Sequence, residues 1–175
     1  MAQAYGTRHG KLIAPPVCLD PKTSGLRFAI DDGVNKWPFQ GQSSRLAATM
    51  SVLLLQAWAK EERIVVEYMD DDKVATGAGV PDGTFFMPPS EAAPLPTSIA
   101  GTVYSYAVWG RDGGVLLQTS IDDPTHLFFG RAQEKVVEFT SVLAQARFFN
   151  WSVEIVSHLE PNANYPDIDS IKFKL

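Results

Sequence analysis

Two stretches of this chain, Phe39–Ala57 (FQGQSSRLAATMSVLLLQA) and Phe128–Ala146 (FFGRAQEKVVEFTSVLAQA), have the same length and share several landmarks. A shift of 89 residues aligns them without a gap and also keeps apolar residues in phase, with Met50 on Phe139 and Ile64 on Val153. The identical pairs under this shift are Gly25/Gly114, Phe39/Phe128, Gly41/Gly130, Leu54/Leu143, Gln56/Gln145 and Ala57/Ala146. Because a one-residue slip would turn a strand's apolar side chains to the wrong face, the shared phase favours two copies of one unit. The alternative is that any α+β protein contains strand-helix-strand units that can be slid into partial agreement.

The quoted stretches predict one helix in each copy. In the first, apolar residues recur at spacings of three and four, which place them on one helical face and predict a helix over residues 43–60. The second stretch has the same spacing and predicts a helix over residues 132–149. The apolar positions are Leu46, Met50, Leu53, Leu54 and Ala57 in the first helix and Val136, Phe139, Val142, Leu143 and Ala146 in the second.

Alternating apolar and polar residues predict strands on both sides of each helix. We predict strands over 26–31, 63–68, 99–109, 114–118, 152–156 and 171–175, with a short closing strand over 84–87. We interpret residues 70–83 as a polar loop that contains glycine. Its stretch GAGVPDG, from Gly77, is not followed by the helix that a phosphate-binding loop needs, so we interpret it as a flexible loop. Four prolines in PPSEAAPLPTS predict a linker or an extended crossing segment.

Each copy therefore has the order strand, strand, helix, strand, strand, in an α+β fold. A four-stranded sheet with one helix across it leaves its other face and its edges open, so we expect the second copy or another chain to cover them.

The segment Leu53–Tyr68, LLLQAWAKEERIVVEY, resembles a pattern found in pentamer-forming bacterial toxin B subunits and related small proteins of OB-like fold, in which an alanine-bearing helix precedes a β-strand. The repeat divides the chain into residues 1–87 and 99–175, joined by the Pro-rich linker 88–98. The resemblance implies that both units are OB-like, and we expect them to pack as a pseudo-dimer. It also implies a ring or a face-to-face pair of subunits that binds glycans or a protein partner. The chain departs from the family because it has no disulfide and contains the unit twice, and no glycan-binding residue can be carried over.

Composition limits the classes of partner. The chain has 175 residues, a net charge of -5 and no cluster of Lys and Arg, which argues against nucleic acid because such binding needs phosphate neutralisation. A single cysteine, Cys18, excludes an intramolecular disulfide and favours the cytoplasm. The N-terminal stretch lacks the apolar run of a signal peptide, although secretion as a processed chain stays open, and no segment is apolar over the length of a membrane span.

No catalytic motif emerges from the spacing of reactive residues. The three histidines, His9, His126 and His158, lie in none of the spacings that place two metal ligands on one face, and we interpret them as surface or strand-end residues. Cys18 would need a neighbouring histidine to act as a nucleophile. The run Asp70, Asp71 and Asp72 is a candidate site for a divalent cation, and the alternative interpretation is a solvated run of charges. We predict no catalytic residue and no cofactor.

Aromatic residues are the remaining candidates for ligand binding. Tryptophan and tyrosine combine a large apolar surface with a polar tip, and they recur in sugar platforms and protein hot spots. Packing in a core is the alternative for most of them. The candidates are Trp37, Trp58, Trp109 and Trp151, together with Tyr104 and Tyr106. We interpret the stretch that contains Trp37 and Pro38 as a loop, and we therefore expect Trp37 to be the most exposed.

These observations favour a non-enzymatic binding or assembly protein that recognises a glycan or a protein partner and forms a homo-oligomer through free sheet edges. One alternative is a small metal-assisted hydrolase that uses Asp70 to Asp72 and a histidine brought close by folding. Another is a cytosolic inhibitor or immunity-type protein, whose acidic surface would suit a basic target.

Overall fold

The computed structural model describes residues 5–18, 25–41, 44–69, 73–84, 97–111 and 114–174. These residues are mainly β, with two helices, and form one connected sheet. The elements in chain order are β1 (Tyr5–Leu12), β2 (Val17–Cys18), β3 (Leu26–Asp31), β4 (Lys36–Gly41), α1 (Ser44–Ala59), β5 (Arg63–Met69), β6 (Val74–Val80), β7 (Ser98–Arg111), β8 (Gly114–Ile121), β9 (Leu127–Gly130), α2 (Val136–Phe149), β10 (Ser152–His158) and β11 (Asp167–Lys174).

Five strands of the first half close into a barrel. Strand β1 pairs antiparallel with β3 and with β5, and β3 pairs antiparallel with β4. Strand β4 runs parallel to β6, and β6 pairs antiparallel with β5, which completes the circuit. The alternate residues Leu26, Phe28 and Ile30 of β3 are buried and face the interior, whereas Arg27 and Asp31 are exposed.

The strands of the second half pair in a corresponding circuit. Strand β7 pairs antiparallel with β8 and with β10, and β8 pairs antiparallel with β9. Strand β9 meets β11 in parallel at Phe129 and Asp167, and β11 pairs antiparallel with β10.

The two circuits are joined along β6 and β7. Residues Gly77–Val80 of β6 pair antiparallel with Tyr106–Trp109 of β7. Helices α1 and α2 pack against each other, and one continuous apolar core contains residues of both helices and both circuits, including Met50, Leu54 and Leu143.

The helix predictions are confirmed, with one shifted boundary. Helix α1 spans Ser44–Ala59, close to the predicted 43–60, whereas α2 begins at Val136 and not at residue 132. Residues just before α2 form a turn in which the Lys135 N–H donates to the Ala132 carbonyl. Both helices are followed by a residue in the left-handed region, Glu61 with φ 55° and Asn150 with φ 56°.

The prediction of a loop over residues 70–83 is wrong for its central part, which forms strand β6 and is largely buried. Gly79 allows close packing, because a Cβ at this position would lie 3.2 Å from atoms of Ala107 and Val65. Small residues allow β6 to pair closely with both β5 and β7. Such a strand does not show the alternation of large apolar and polar residues from which strands are predicted.

Apart from the two-residue β2, three other strands are not predicted from the sequence. Strand β1 begins in a polar N-terminal stretch, β4 contains Pro38 and was interpreted as a loop, and β9 has only four residues. These strands close the circuits, so the expectation of a four-stranded sheet with open edges is wrong. Thr84 is described outside any strand, and residues 85–87 and 88–96 of the predicted closing strand and linker lie outside the described residues.

Candidate ligand groove

A groove of about 500 Å³ lies on the outer face of β3 and β4. Its floor is made of two cross-strand pairs, Arg27 with Gln40 and Ala29 with Pro38. These side chains point outward because their neighbours along each strand, including Phe28 and Phe39, point into the barrel. The small side chain of Ala29 and the ring of Pro38 keep the centre of the floor low.

Two connections form the walls of the groove. On one side, the segment that leaves β1 contributes Ile13, Ala14, Pro15 and Val17. The Ile13 N–H donates to the Ala29 carbonyl at 3.1 Å and fixes this wall against the floor. On the other side, Lys73 precedes β6, and its carbonyl accepts a hydrogen bond from the Gln40 N–H at 3.4 Å.

The charged residues that line the groove within the described part of the chain are cationic. Arg27 and Lys73 are both exposed and line the groove from opposite sides of Gln40. Among the described residues, neither forms an ion pair with a carboxylate. The groove can therefore offer two cations and an amide to a ligand, next to an apolar half made by Ile13, Pro15 and Pro38.

Trp37 lies beside the groove and is held in place on two sides. Its indole Nε1 donates to Asp32 at 2.8 Å, and the Arg8 guanidinium stacks over its ring at 3.8 Å. Hydrogen bonds from the Asn35 N–H, the Trp37 indole and the Val34 N–H lower the pKa of Asp32 to about 2. Trp37 is half-buried, less exposed than expected, and one face of its ring is covered by Arg8.

The other three candidate tryptophans lie on different elements. Trp58 is 37% exposed near the end of α1, and Trp109 on β7 is 6% exposed and packs against Phe129. Trp151, just before β10, is 39% exposed and stacks on Phe149 with 4.6 Å between ring centroids. The structure does not bring the four tryptophans together into one platform.

The outer face of β8 and β9, which corresponds in the second circuit to the groove face, is covered. Gln118 and Phe129 are each 3% exposed, and Leu127 is 6% exposed. A small cluster packs over this face; its members are Val65, Ala107, Trp109, Leu127, Phe129 and Tyr165. The two circuits therefore differ in whether this face is open to a ligand.

A polar network joins the ends of the two helices. Arg147 of α2 donates to Glu62 through Nε and Nη2, and through Nη1 to the carbonyls of Val103 and Tyr104. Gln56 of α1 donates to Glu62 and accepts from the hydroxyl of Tyr106. Burial raises the pKa of Tyr106 well above its ordinary value. These groups satisfy one another, which indicates a structural role.

The described histidines are separated from one another. His9 contacts the carbonyl of Asp82, and His126 lies 3.3 Å from Asp123. Hydrogen bonds with Asp169 and Glu160 raise the pKa of His158. No group of three His, Cys, Asp or Glu residues that could hold a metal ion occurs within the described ranges.

Two sequence candidates cannot be placed. The run Asp70 to Asp72 lies outside the described residues, so the cation prediction stays a prediction. Cys18 lies on β2 opposite Leu26, but its side chain is also outside the described part of the chain.

The groove residues Arg27, Gln40 and Lys73 were missed in the sequence. A polar residue between apolar neighbours marks Arg27 as outward-facing, but nothing local indicates that Gln40 lies opposite it. The strand register that joins them depends on β4, which was interpreted as a loop.

In the described part of the chain, neither helix has the length and apolar character needed to cross a membrane. No family model, no curated protein and no solved structure matches the chain.

Proposed function

We propose that this chain is a non-enzymatic binding protein built from two tandem OB-like units, and that the groove on β3 and β4 receives a glycan. The single observation that carries the proposal is this groove, which is open, concave and lined by both apolar and hydrogen-bonding groups. A concave groove of about 500 Å³ can hold one end of an oligosaccharide, whereas a flat surface of a protein partner would not fill it.

The tandem arrangement is supported by the repeat offset found in the sequence. A shift of 89 residues carries β5, Arg63–Met69, onto β10, Ser152–His158, residue for residue. The same shift carries Glu61 onto Asn150, the left-handed residues that follow the two helices. The order of strand pairing is also the same in both circuits, with the helix before the fourth strand of each.

The position of the groove supports a ligand-binding role. In OB folds, the face of the second and third barrel strands and the adjoining loops bind oligonucleotides and oligosaccharides. Here β3 and β4 are the second and third strands of the first circuit, and the walls come from the β1–β3 connection and from Lys73 before β6. The net charge of -5 disfavours the oligonucleotide.

A glycan array tests the proposal with a variant that fills the groove. Ala29→Leu places a larger side chain on the groove floor without touching the barrel interior, and Ala100→Leu makes the same change at an exposed position of β7. We expect the wild type and Ala100→Leu to bind the same glycans and Ala29→Leu to lose at least about tenfold in affinity, about 1.4 kcal/mol. Binding by none of the three, or equal binding by all three, would contradict the proposal.

Assembly is a second candidate function, favoured by a cluster of exposed aromatic residues at the end of α2. Phe148, Phe149 and Trp151 are 38%, 51% and 39% exposed. The ring of Phe149 contacts the rings of both Phe148 and Trp151. Free sheet edges do not support the predicted homo-oligomer, because each described strand except β2 has neighbours on both sides. An oligomer would instead bury these rings.

Light scattering coupled to size exclusion tests the assembly. We expect the wild type and Val34→Ser, a change at an 87% exposed residue in the β3–β4 turn, to exceed the monomer mass. The double variant Phe149→Ser, Trp151→Ser should elute as a monomer. A monomeric wild type refutes assembly through this cluster.

The likeness to pentamer-forming toxin B subunits, the hydrolase and the inhibitor or immunity-type protein stay predictions, and none has specific support in the described residues.

A further inference from the structure

We propose that the groove selects an acidic glycan, and that Arg27 and Lys73 recognise a carboxylate at its end. This inference rests on the proposed glycan-binding function and adds the charge of the ligand.

The two cations and Gln40 form a short row, with Arg27 on β3, Gln40 on β4 and Lys73 one residue before β6. Arg27 of β3 lies opposite Gln40 of β4, and Gln40 lies opposite Val74, the residue after Lys73. Neighbouring strands are about 4.8 Å apart, so the backbones at the two ends of the row are about 10 Å apart. Long side chains at both ends can reach a single anionic group above Gln40.

The row is notable in an acidic protein. Some cations of the first half have partners: Arg63 pairs with Asp82 at 2.8 Å, and Arg8 stacks over Trp37, whose ring centroid also lies 5.9 Å from the Lys73 Nζ. No described carboxylate pairs with Arg27 or Lys73, and both face the same groove. Two like charges that line one groove repel each other, and a bound anion removes this repulsion.

The geometry favours a compact anion over a polyanion. Nucleic acid would require a line of cations that tracks successive phosphates, whereas the groove offers two cations on either side of one amide. The planar guanidinium of Arg27 can donate two parallel hydrogen bonds to a carboxylate. Gln40 can donate to or accept from a neighbouring hydroxyl group.

The other half of the groove would hold the uncharged body of the sugar. Ile13, Pro15 and Pro38 present carbon surface beside the cationic row. A sugar ring has an apolar face of C–H groups and an equator of hydroxyl groups, so a uronic acid combines the two properties that the groove offers. The structure therefore matches a sugar ring that carries one carboxylate.

Titration with glucuronic acid, glucose and glucose 6-sulfate, alongside matched oligosaccharides that end in each sugar, tests the inference. The variants are Arg27→Gln and Lys73→Gln, and the control is Lys36→Gln, which removes an exposed charge from β4 outside the groove. Arg27 and Lys73 are exposed, so we expect both variants to fold like the wild type. Thermal unfolding of each variant verifies this. We expect the glucuronic acid probes to bind most tightly, each groove variant to weaken them about tenfold, and the control to match the wild type. Raising the salt concentration should weaken this binding as well.

The outcomes separate this inference from the function on which it rests. Equal binding of glucose and glucuronic acid, unchanged by Arg27→Gln and Lys73→Gln, overturns the acidic ligand and leaves the glycan groove intact. Tighter binding of the sulfated probe overturns the preference for a carboxylate. Binding of no saccharide of any charge overturns both the inference and the proposed glycan-binding function.

Discussion

Trp37 is the residue at which the local chemistry of the groove edge can be tested by pH. Asp32 accepts its indole N–H, and the pKa of Asp32 is lowered from 3.8 to about 2 in the folded protein. Because the pKa of Asp32 is lower in the folded state, the ionised carboxylate contributes to the stability of the fold at pH values above the unfolded pKa of 3.8. This contribution is lost as the pH falls through about 2. We therefore expect the Trp37 indole N–H resonance to stay nearly constant from pH 7 to about pH 3 and to shift as the pH falls through about 2.

The variant Asp32→Asn is the control for this titration. Its amide cannot ionise, so the Trp37 resonance should lose the low-pH step, while resonances of Trp151 and Trp58 behave as in the wild type. A step of the same size in Asp32→Asn would show that another group causes it.

At the residue scale, the sequence predicts Trp37 as a ligand contact, which stays a prediction, and it does not indicate the residues that line the groove. Trp37 was selected for its loop and its neighbouring proline, and it does lie beside the groove. Its contacts with Arg8 come from a strand distant in sequence, which no local pattern reports. The groove residues Arg27 and Gln40 are ordinary polar residues whose meaning depends on strand register.

At the scale of elements, the joint between α1 and α2 depends on Arg147. Its side chain is 16% exposed, that of Glu62 is 20% exposed, and they form a two-nitrogen contact. Arg147→Ala would leave the Glu62 carboxylate and the carbonyls of Val103 and Tyr104 without this donor. We expect a loss of about 2 kcal/mol in the free energy of unfolding, less than for a fully buried pair because both side chains keep some solvent contact.

Urea unfolding measures this loss, and a neighbouring ion pair provides the matched control. Arg63 pairs with Asp82, but their side chains are 47% and 37% exposed. Arg63→Ala should therefore change the free energy of unfolding by less than about 1 kcal/mol. Equal losses in the two variants would mean that the helix joint gives no more stability than a surface pair.

The elements that the sequence could predict are those with a strong period. Helix α1 and strand β5 have clear spacing of apolar residues and were placed to within about a residue at each end. Strand β6, with the sequence VATGAGV, has small side chains throughout, and β4 contains a proline, so neither has the alternation that identifies a strand. Both are stabilised by long-range pairing, which only the whole fold supplies.

At the scale of the molecule, the two strand circuits share one core, and this determines how the protein unfolds. Leu53 of α1 and Leu143 of α2 are fully buried in the same apolar cluster, which extends through both circuits. Strands β6 and β7 also pair across the junction. A repeat in sequence can produce two independent domains, but separating these halves would expose the faces of both helices.

We therefore expect a single cooperative transition in calorimetry, with equal calorimetric and van't Hoff enthalpies. Leu53→Ala and Leu143→Ala should each destabilise the protein by about 3 kcal/mol, because each leaves a cavity in the common core. Each variant should lower the melting temperature of the whole transition by about 6–12 °C. If the halves were independent, Leu143→Ala would move only part of the heat absorption, and the scan would divide into two peaks. Such a scan would contradict the shared core, because a substitution in one helix would then leave the other half of the molecule unaffected.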